Sequence, residues 1–190
     1  MRNSQVEQIT DPKVALQALK DGNKRFVAGQ PSVKNDTADR VETVGTQKPF
    51  AAILTCADSR TSPEIFFDAR VGDLFVLRNA GNFATDEELG ALEFGTAVLG
   101  ASVIVVIGHQ NCGAVFATFD KPDGLPEKLQ GIVDNIAPGI AGAPDKDAAI
   151  KANTLAVVEA VKANPVVKEK GVPVVGAYYH FETGVVTFYE

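Results

Sequence analysis

The stretch VIVVIGHQNCG, residues 103–113, joins an apolar run to a short polar segment that contains potential metal ligands. Residues 103–107 are all β-branched, which is typical of a β-strand. An unbroken apolar strand indicates burial on both faces, and such strands occur in parallel sheets that are covered by helices. The stretch therefore predicts a central parallel strand that ends close to residue 108.

Further apolar runs of strand length lie on both sides of this stretch. They are FAAILT at 50–55, DLFVL at 73–77, VPVVGAY at 172–178 and VVTFY at 185–189. The last run closely follows Gly184, a spacing that suits a hairpin, so we expect the final strand to be antiparallel to its neighbour. Helical spacing of apolar residues predicts helices at 12–29, 86–99, 114–119, 129–140 and 147–163.

Strands that alternate with helices predict an α/β fold with a mostly parallel central sheet, an antiparallel C-terminal edge strand and flanking helices. We expect a single domain over residues 1–190. Within it, residues 1–48 are expected to form an N-terminal helix and a wrapping arm, and residues 49–190 the α/β core. Residues 89–107 are apolar enough to resemble a membrane span. Their glycines and Glu93 fit better with a helix, a turn near Gly100 and a buried strand.

The composition excludes some classes of protein. The chain has 190 residues and a net charge of −6, which argues against a nucleic-acid partner. Its two cysteines are too few for a secreted disulfide scaffold, although counting alone leaves one buried disulfide open. Residues 1–10 are polar and show no signal peptide. We therefore expect a cytoplasmic protein without a membrane partner, unless a targeting segment has been trimmed from its start.

Two of the predicted strands end in residues that can bind metal. The strand at 50–55 leads into Cys56 and Asp58, and the strand at 103–107 leads into His109 and Cys112. Ligands of open α/β sheets bind beyond the carboxyl ends of the strands, so all four residues fall where a site is expected. If a helix begins after Gly108, His109 and Cys112 lie on its first turn, where a thiolate is favoured. Thiolates and an imidazole suit tetrahedral zinc.

Each of these residues also has an ordinary structural explanation. A free cysteine is usually a small buried hydrophobe, a loop aspartate usually caps a turn, and a single histidine is usually hydrogen-bonded. The spacing alone leaves both explanations open. Arg60 adds a second consideration, because it can compete for Asp58 through a two-point pair. Departure of Asp58 opens one zinc position for water, whereas a plain Asp58–Arg60 structural pair is the simpler alternative.

Four segments together resemble β-class carbonic anhydrases. They are CADSR at 56–60, GHQNCGAV at 108–115, LKDGNKRF at 19–26 and VGDLFVLRNAGN at 71–82. The resemblance covers nearly the whole chain. It implies a zinc lyase, carbonate dehydratase, that hydrates CO2 reversibly to bicarbonate and a proton.

The resemblance also implies roles for individual residues. Zn2+ is held by Cys56, His109 and Cys112, with Asp58 as a fourth ligand in a closed state. In the open, active state Asp58 pairs with Arg60, and both are catalytic.

Three further residues are implied to bind substrate. Gln47 donates to a substrate oxygen, and Phe75 and Phe94 line an apolar pocket. In the family these three reach the zinc of a neighbouring subunit, so a homodimer or homotetramer is expected. Core packing is the alternative role of both phenylalanines.

Some features of the chain differ from the family pattern, and several alternative functions remain open. The chain has no tryptophan, which argues against the inhibitory bicarbonate pocket of some bacterial members. His180 matches no family role and is expected to be structural or an exposed proton acceptor. A hydrolase of carbonyl sulfide or carbon disulfide would share the zinc ligands, and a non-catalytic zinc protein would not need Arg60. A thiol redox protein would need a Cys-x-x-Cys pattern, which is absent.

Overall fold

Five strands form one sheet in the computed structural model, which describes residues 8–34, 37–121 and 123–189. In chain order they are β1 (Ala51–Cys56), β2 (Leu74–Asn79), β3 (Val103–His109), β4 (Val174–Tyr179) and β5 (Val186–Phe188). Their order across the sheet is β2-β1-β3-β4-β5. The first four strands are mutually parallel and β5 is antiparallel to β4, which confirms the predicted fold class.

Helices connect the strands and cover the sheet. Their bounds are α1 (Pro12–Val27), α2 (Thr37–Glu42), α3 (Pro63–Phe66), α4 (Asp86–Glu93), α5 (Gly113–Asp120), α6 (Glu127–Ile136), α7 (Lys146–Ala163) and α8 (Pro165–Lys170). A π turn, Phe94–Val98, continues α4, and a 3-10 turn, Ala137–Ile140, continues α6.

The two central strands, β1 and β3, are buried at every position, as their unbroken apolar sequences predict. Successive side chains of a strand point to opposite faces of the sheet. One face of these strands packs in a hydrophobic cluster with α1 and α3, and the other packs with α4, α7 and α8. Because β1 and β3 are parallel neighbours, their carboxyl ends lie side by side at one edge of this core.

The first helix begins where its sequence predicts. The Asp11 side chain accepts a hydrogen bond from the Lys13 amide at 2.8 Å, and Pro12 occupies the first turn. The helix ends at Val27 rather than at Gly29. Gly29 has a φ of +66°, and this left-handed conformation favours glycine just beyond a helix end.

The structure differs from the predicted elements mainly in short helices. The predicted helix at 86–99 changes to a π turn at Phe94, where Gly95 passes so close to Phe75 that a Cβ would lie 2.8 Å from its ring. The short helices α2, α3 and α8 were not predicted, because four to six residues give too little periodicity to detect. Expectations for residues 1–7 and 35–36 lie outside the described residues.

The apolar region at 89–107 has the arrangement expected for a core segment. It contains the end of α4, a turn in which Gly100 has a φ of +78°, and the first part of β3. None of the helices in the described part of the chain is both long enough and apolar enough to cross a bilayer.

Candidate metal centre

Three side chains converge at the carboxyl ends of β1 and β3. Cys56 is the last residue of β1, His109 is the last residue of β3, and Cys112 is the N-cap of α5. One ligand atom from each lies within 4.8 Å of the others, and all three residues are buried. Both cysteines are free, so the structure contains no Cys56–Cys112 disulfide. The arrangement offers two sulfurs and one imidazole nitrogen at the predicted edge of the sheet.

The His109 ring presents an unpartnered nitrogen to this cluster. Its Nδ1 lies 2.9 Å from the carbonyl oxygen of Gln110, which can only accept, so Nδ1 carries the proton. The remaining nitrogen, Nε2, is buried and has no hydrogen-bond partner among the described residues. A buried polar atom without a partner is costly. A metal ion at this point would use the free lone pair, and a carbonyl that fixes the other ring nitrogen is typical of metal-binding histidines.

The two thiols form a coupled pair. The pKa of Cys56 is lowered, chiefly because the Cys112 thiol donates to it and also because the Gly81 amide lies 3.3 Å from its sulfur. The pKa of Cys112 is raised because its proton is held by the Cys56 thiolate and because it is buried. A divalent cation would replace that proton and stabilise two thiolates. The donor set therefore fits zinc.

The local backbone of the second motif differs from the predicted one. We expected a helix to begin after Gly108, with His109 and Cys112 on its first turn. Instead His109 still belongs to β3, and α5 begins only at Gly113. The change of direction occurs at Asn111, which has a φ of +55°, a conformation that asparagine tolerates better than most residues. This turn, rather than a helical spacing, brings Cys112 back towards His109.

Asp58 lies outside the three-residue group and is paired with Arg60. Arg60 Nε is 2.9 Å from Asp58 Oδ1 and Nη2 is 2.8 Å from Oδ2, while the Arg60 amide also donates to Oδ1 at 2.9 Å. These bonds lower the pKa of Asp58 to about 2, with the Arg60 side chain as the largest cause. The family resemblance associates such a pair with an open state, in which Asp58 is not a metal ligand.

Two residues that the sequence did not single out fix the Cys56–Asp58 segment. The Thr61 hydroxyl lies 2.7 Å from the carbonyl oxygen of Cys56 and 2.8 Å from that of Asp58. From β2, Arg78 donates through Nε to the Cys56 carbonyl at 3.1 Å and through Nη2 to the Asp58 carbonyl at 2.7 Å. The Arg78 contacts join residues 20 or more positions apart, so they leave no spacing signal in the sequence.

Phe181 is a third residue that the sequence did not single out. It lies just beyond β4, and its ring centroid is 4.0 Å from the Arg60 guanidinium carbon and 5.0 Å from the His109 ring centroid. Since β4 neighbours β3, the residues that follow β4 reach the same edge of the sheet as His109. The only signal in the sequence was its place after a predicted strand.

The residues expected to bind substrate lie elsewhere on the chain. Phe75 and Phe94 contact each other, with ring centroids 6.1 Å apart, and Phe94 is 46% exposed. Phe75 lies near the start of β2, at the opposite end from Asn79, which pairs with Cys56. Gln47 is exposed on the segment before β1. Within residues 8–34, 37–121 and 123–189, no hydrogen bond or ring contact joins these three to the metal centre.

His180 has structural partners in the hairpin between β4 and β5. Its Nε2 lies 3.1 Å from the Thr187 hydroxyl, and its ring packs edge-on against Tyr178 with centroids 4.7 Å apart. We expected His180 to be either structural or an exposed proton acceptor, and these contacts favour the structural role.

The fold and the three-donor cluster define an α/β protein with a candidate metal centre at the carboxyl ends of two parallel strands. The carbonic anhydrase family profile matches residues 51–186. The chain belongs to the carbonic anhydrase family, in its β class.

Individual relatives agree with this assignment. Carbonic anhydrase 2 of Mycobacterium tuberculosis is 44% identical over 135 residues, which is 69% of this chain and 65% of that protein. The match therefore spans just under two thirds of that relative's length. A Coccomyxa β-carbonic anhydrase, solved with acetazolamide, superposes with a TM-score of 0.68 at 28% identity, covering 93% of this chain and 85% of the other.

A third relative shows the fold alone. It is one of two tetrameric β-carbonic anhydrases of Sordaria macrospora, and it superposes with a TM-score of 0.67 at 22% identity, covering 93% of this chain and 95% of the other.

Proposed function

We propose that the chain is a zinc enzyme that hydrates CO2 reversibly to bicarbonate and a proton. The observation that carries this proposal is the unpartnered Nε2 of His109, whose ring offers a ligand atom within 4.8 Å of both cysteine sulfurs, while Asp58 is paired with Arg60. This arrangement leaves three protein donors and one position for a further ligand, as catalytic zinc sites do. The relatives named carbonic anhydrase support the same activity.

When bound, a zinc ion supplies a hydroxide nucleophile near neutral pH, because it lowers the pKa of a water molecule to about 7. The chain's own residues then orient the reactants. Asp58 stays ionised, since Arg60 holds its pKa at about 2. The carboxylate can accept a hydrogen bond from the nucleophile and so direct the oxygen lone pair towards the carbon of CO2. Arg60 keeps Asp58 in this role and prevents it from occupying the fourth position.

Gln47, Phe75 and Phe94 are proposed to complete the site of a neighbouring subunit. The exposed Gln47 and the partly exposed Phe94 are available to a second copy of the chain. Two phenylalanine rings would give an apolar pocket that suits a small uncharged substrate, and the Gln47 amide would donate to its oxygen. The chain would then act as a homodimer or a homotetramer.

The free cysteines also bear on where the protein acts. Two reduced thiols that serve as metal ligands fit a reducing compartment better than an oxidising one. We therefore propose that the protein is cytoplasmic. Separately, we propose that residues 1–190 form one domain. Cell fractionation with an antibody against the chain would test the location, and recovery in an oxidising compartment would contradict it.

Metal analysis together with a CO2-hydration assay tests the proposed function. We expect about one zinc per chain, loss of hydration on chelation, and recovery when zinc is restored. A His109→Asn variant should lose zinc and activity, whereas the matched His180→Asn variant should keep its zinc. Full hydration by the metal-free protein would refute the proposal. Hydrolysis of carbonyl sulfide far faster than hydration of CO2 would show instead that the pocket selects the related sulfur substrate.

A further inference from the structure

Phe181 contacts both Arg60, which pairs with Asp58, and His109 of the metal centre. The Arg60 guanidinium carbon lies 4.0 Å from the centroid of the Phe181 ring. The centroid of the His109 ring lies 5.0 Å from the same point. Arg60 thus donates to the Asp58 carboxylate and also lies over an aromatic ring. A planar guanidinium is suited to both contacts at once.

The position of Phe181 is fixed by the segment that carries His109. The side-chain oxygen of Gln110 accepts a hydrogen bond from the Phe181 amide at 3.0 Å, and its Nε2 donates to Glu182 at 3.3 Å. The ring also packs edge-on against Tyr179, with centroids 5.5 Å apart. Gln110 directly follows His109 in the sequence. The hydrogen bond from Phe181 to Gln110 therefore links the position of the Phe181 ring to that of the His109 imidazole.

Arg60 needs this support because its side chain is largely in water. Its relative exposure is 53%, against 18% for Asp58. An exposed ion pair contributes little stability on its own, since water competes for both partners and the long side chain loses freedom when it is fixed. A guanidinium stacked on an aromatic face gains a further attraction and is already ordered before it pairs. The ring therefore favours the paired position of Arg60 over solvated ones.

We propose that Phe181 is a positioning residue that keeps Arg60 paired with Asp58 and so keeps Asp58 away from the Cys56–His109–Cys112 centre. This role rests on the proposed function only in that it gives the pair a consequence for hydration. Without the ring, Arg60 samples solvent more often, and the freed carboxylate can turn towards the three donors.

Two substitutions separate the aromatic face from the bulk of the side chain. Phe181→Leu keeps an apolar side chain at the site but removes the π face, whereas Phe181→Tyr keeps the ring. The readout is the exchange of the Arg60 Nε–H proton with water, measured by NMR on the zinc-loaded chain with 15N-labelled arginine. An Arg60→Lys variant assigns the signal. Zinc content and circular dichroism confirm that each variant is folded and loaded.

We expect a slowly exchanging Arg60 signal in the unmodified protein and in Phe181→Tyr. In Phe181→Leu the exchange should be about two- to fivefold faster, as expected for loss of a partly exposed cation–π contact. Hydration by Phe181→Leu should fall by up to the same factor, with Phe181→Tyr close to the unmodified protein. An exchange rate in Phe181→Leu equal to that of the unmodified protein, or no slowly exchanging signal in the unmodified protein, would overturn the positioning role.

The exchange measurement does not depend on catalysis. Faster exchange in Phe181→Leu in a protein without hydration activity would uphold the positioning role while refuting the proposed function. Equal exchange in a protein that hydrates CO2 would do the reverse.

Discussion

Arg60 holds the Asp58 carboxylate at two points, with Nε 2.9 Å from Oδ1 and Nη2 2.8 Å from Oδ2. To join the three-residue group, Asp58 would have to give up two charge-assisted hydrogen bonds, which are the stronger kind. The pair therefore separates a site with three protein donors from a site with four. In zinc proteins that difference distinguishes a catalytic centre from a closed structural one.

Removal of the Arg60 side chain should reduce hydration without removing zinc. In Arg60→Ala the two-point pair is lost and Asp58 is free to block the fourth position, so we expect kcat/KM to fall roughly ten- to a hundredfold. Arg60→Lys is the matched variant, because it keeps the charge but not the planar guanidinium. Its kcat/KM should lie between those of the unmodified protein and Arg60→Ala. Stopped-flow hydration and metal analysis give the two readouts. Unchanged hydration in Arg60→Ala would show that the Asp58–Arg60 pair does not keep the fourth position open.

Mixed oligomers should show which subunit supplies Gln47. Each of Gln47→Ala and His109→Asn alone should be poorly active. If Gln47 serves the neighbouring site, a dimer of one chain of each kind contains one intact site, made of the metal ligands of the first chain and Gln47 of the second. We expect hydration to recover when the two variants are denatured together and refolded as a mixture. No recovery above the separately refolded variants would show that Gln47 acts within its own chain or not at all.

Two glycines that bracket the second metal motif should respond differently to alanine. A Cβ at Gly108 would lie 2.3 Å from the Thr154 hydroxyl and 3.1 Å from an Ile150 methyl carbon, whereas nothing lies within 4 Å of one at Gly113. Gly108→Ala should lower the free energy of unfolding by about 1–3 kcal/mol through overpacking. Gly113→Ala, at the start of α5, should be neutral or slightly stabilising. Urea unfolding of both variants checks this, and equal stabilities would contradict the packing described for β3 against α7.

Acid should weaken one buried contact of the N-terminal arm. The Asp68 carboxylate accepts hydrogen bonds from the backbone amides of Ser32 and Val33 and from the Arg25 side chain. Although burial acts to raise the pKa of Asp68, these bonds lower it to about 2. The folded-state pKa thus lies below the usual value of 3.8. The resulting stability is present above that usual value and is lost as the pH falls through about 2.

The Asp68→Asn variant tests this effect. We expect it to be less stable than the unmodified protein at pH 7 by about 1–3 kcal/mol, because the donors around the buried side chain lose their anionic partner. The difference should shrink between pH 4 and pH 2, where the unmodified protein also loses its carboxylate. Urea unfolding at pH 7, 4 and 2 measures it, and zinc release affects both proteins alike. A difference that stays constant down to pH 2 would show that Asp68 does not carry this acid sensitivity.

The sheet could be predicted from the sequence because buried parallel strands have a strong signature. The run at 103–107 is fully apolar and the run at 50–55 is apolar except for Thr55, and the structure has β3 and β1 there with no exposed position. The hairpin spacing around Gly184 likewise indicated the antiparallel β5. Short helices such as α8 escaped prediction, because they are set by local caps rather than by a repeated pattern. The Asn164 side chain, for example, caps α8 through two amides.

The candidate site was predictable only in part. Cys56, His109 and Cys112 could be found because they follow strand ends that the topology brings together. Arg78 and Phe181 could not, since each acts through contacts with residues 20 or more positions away. The backbone between His109 and Cys112 was predicted wrongly, because the left-handed Asn111 gives no clear signal in the sequence.

The coordination of the bound metal tests the central claim most directly. Zinc X-ray absorption on the loaded protein at pH 8 should show two sulfur ligands at about 2.3 Å, one nitrogen at about 2.0–2.1 Å and one further light atom. The same spectrum should be given by Asp58→Asn, because Asp58 is paired with Arg60 rather than bound to zinc. A spectrum without two sulfur ligands, or one that loses a light-atom ligand in Asp58→Asn, would contradict the account.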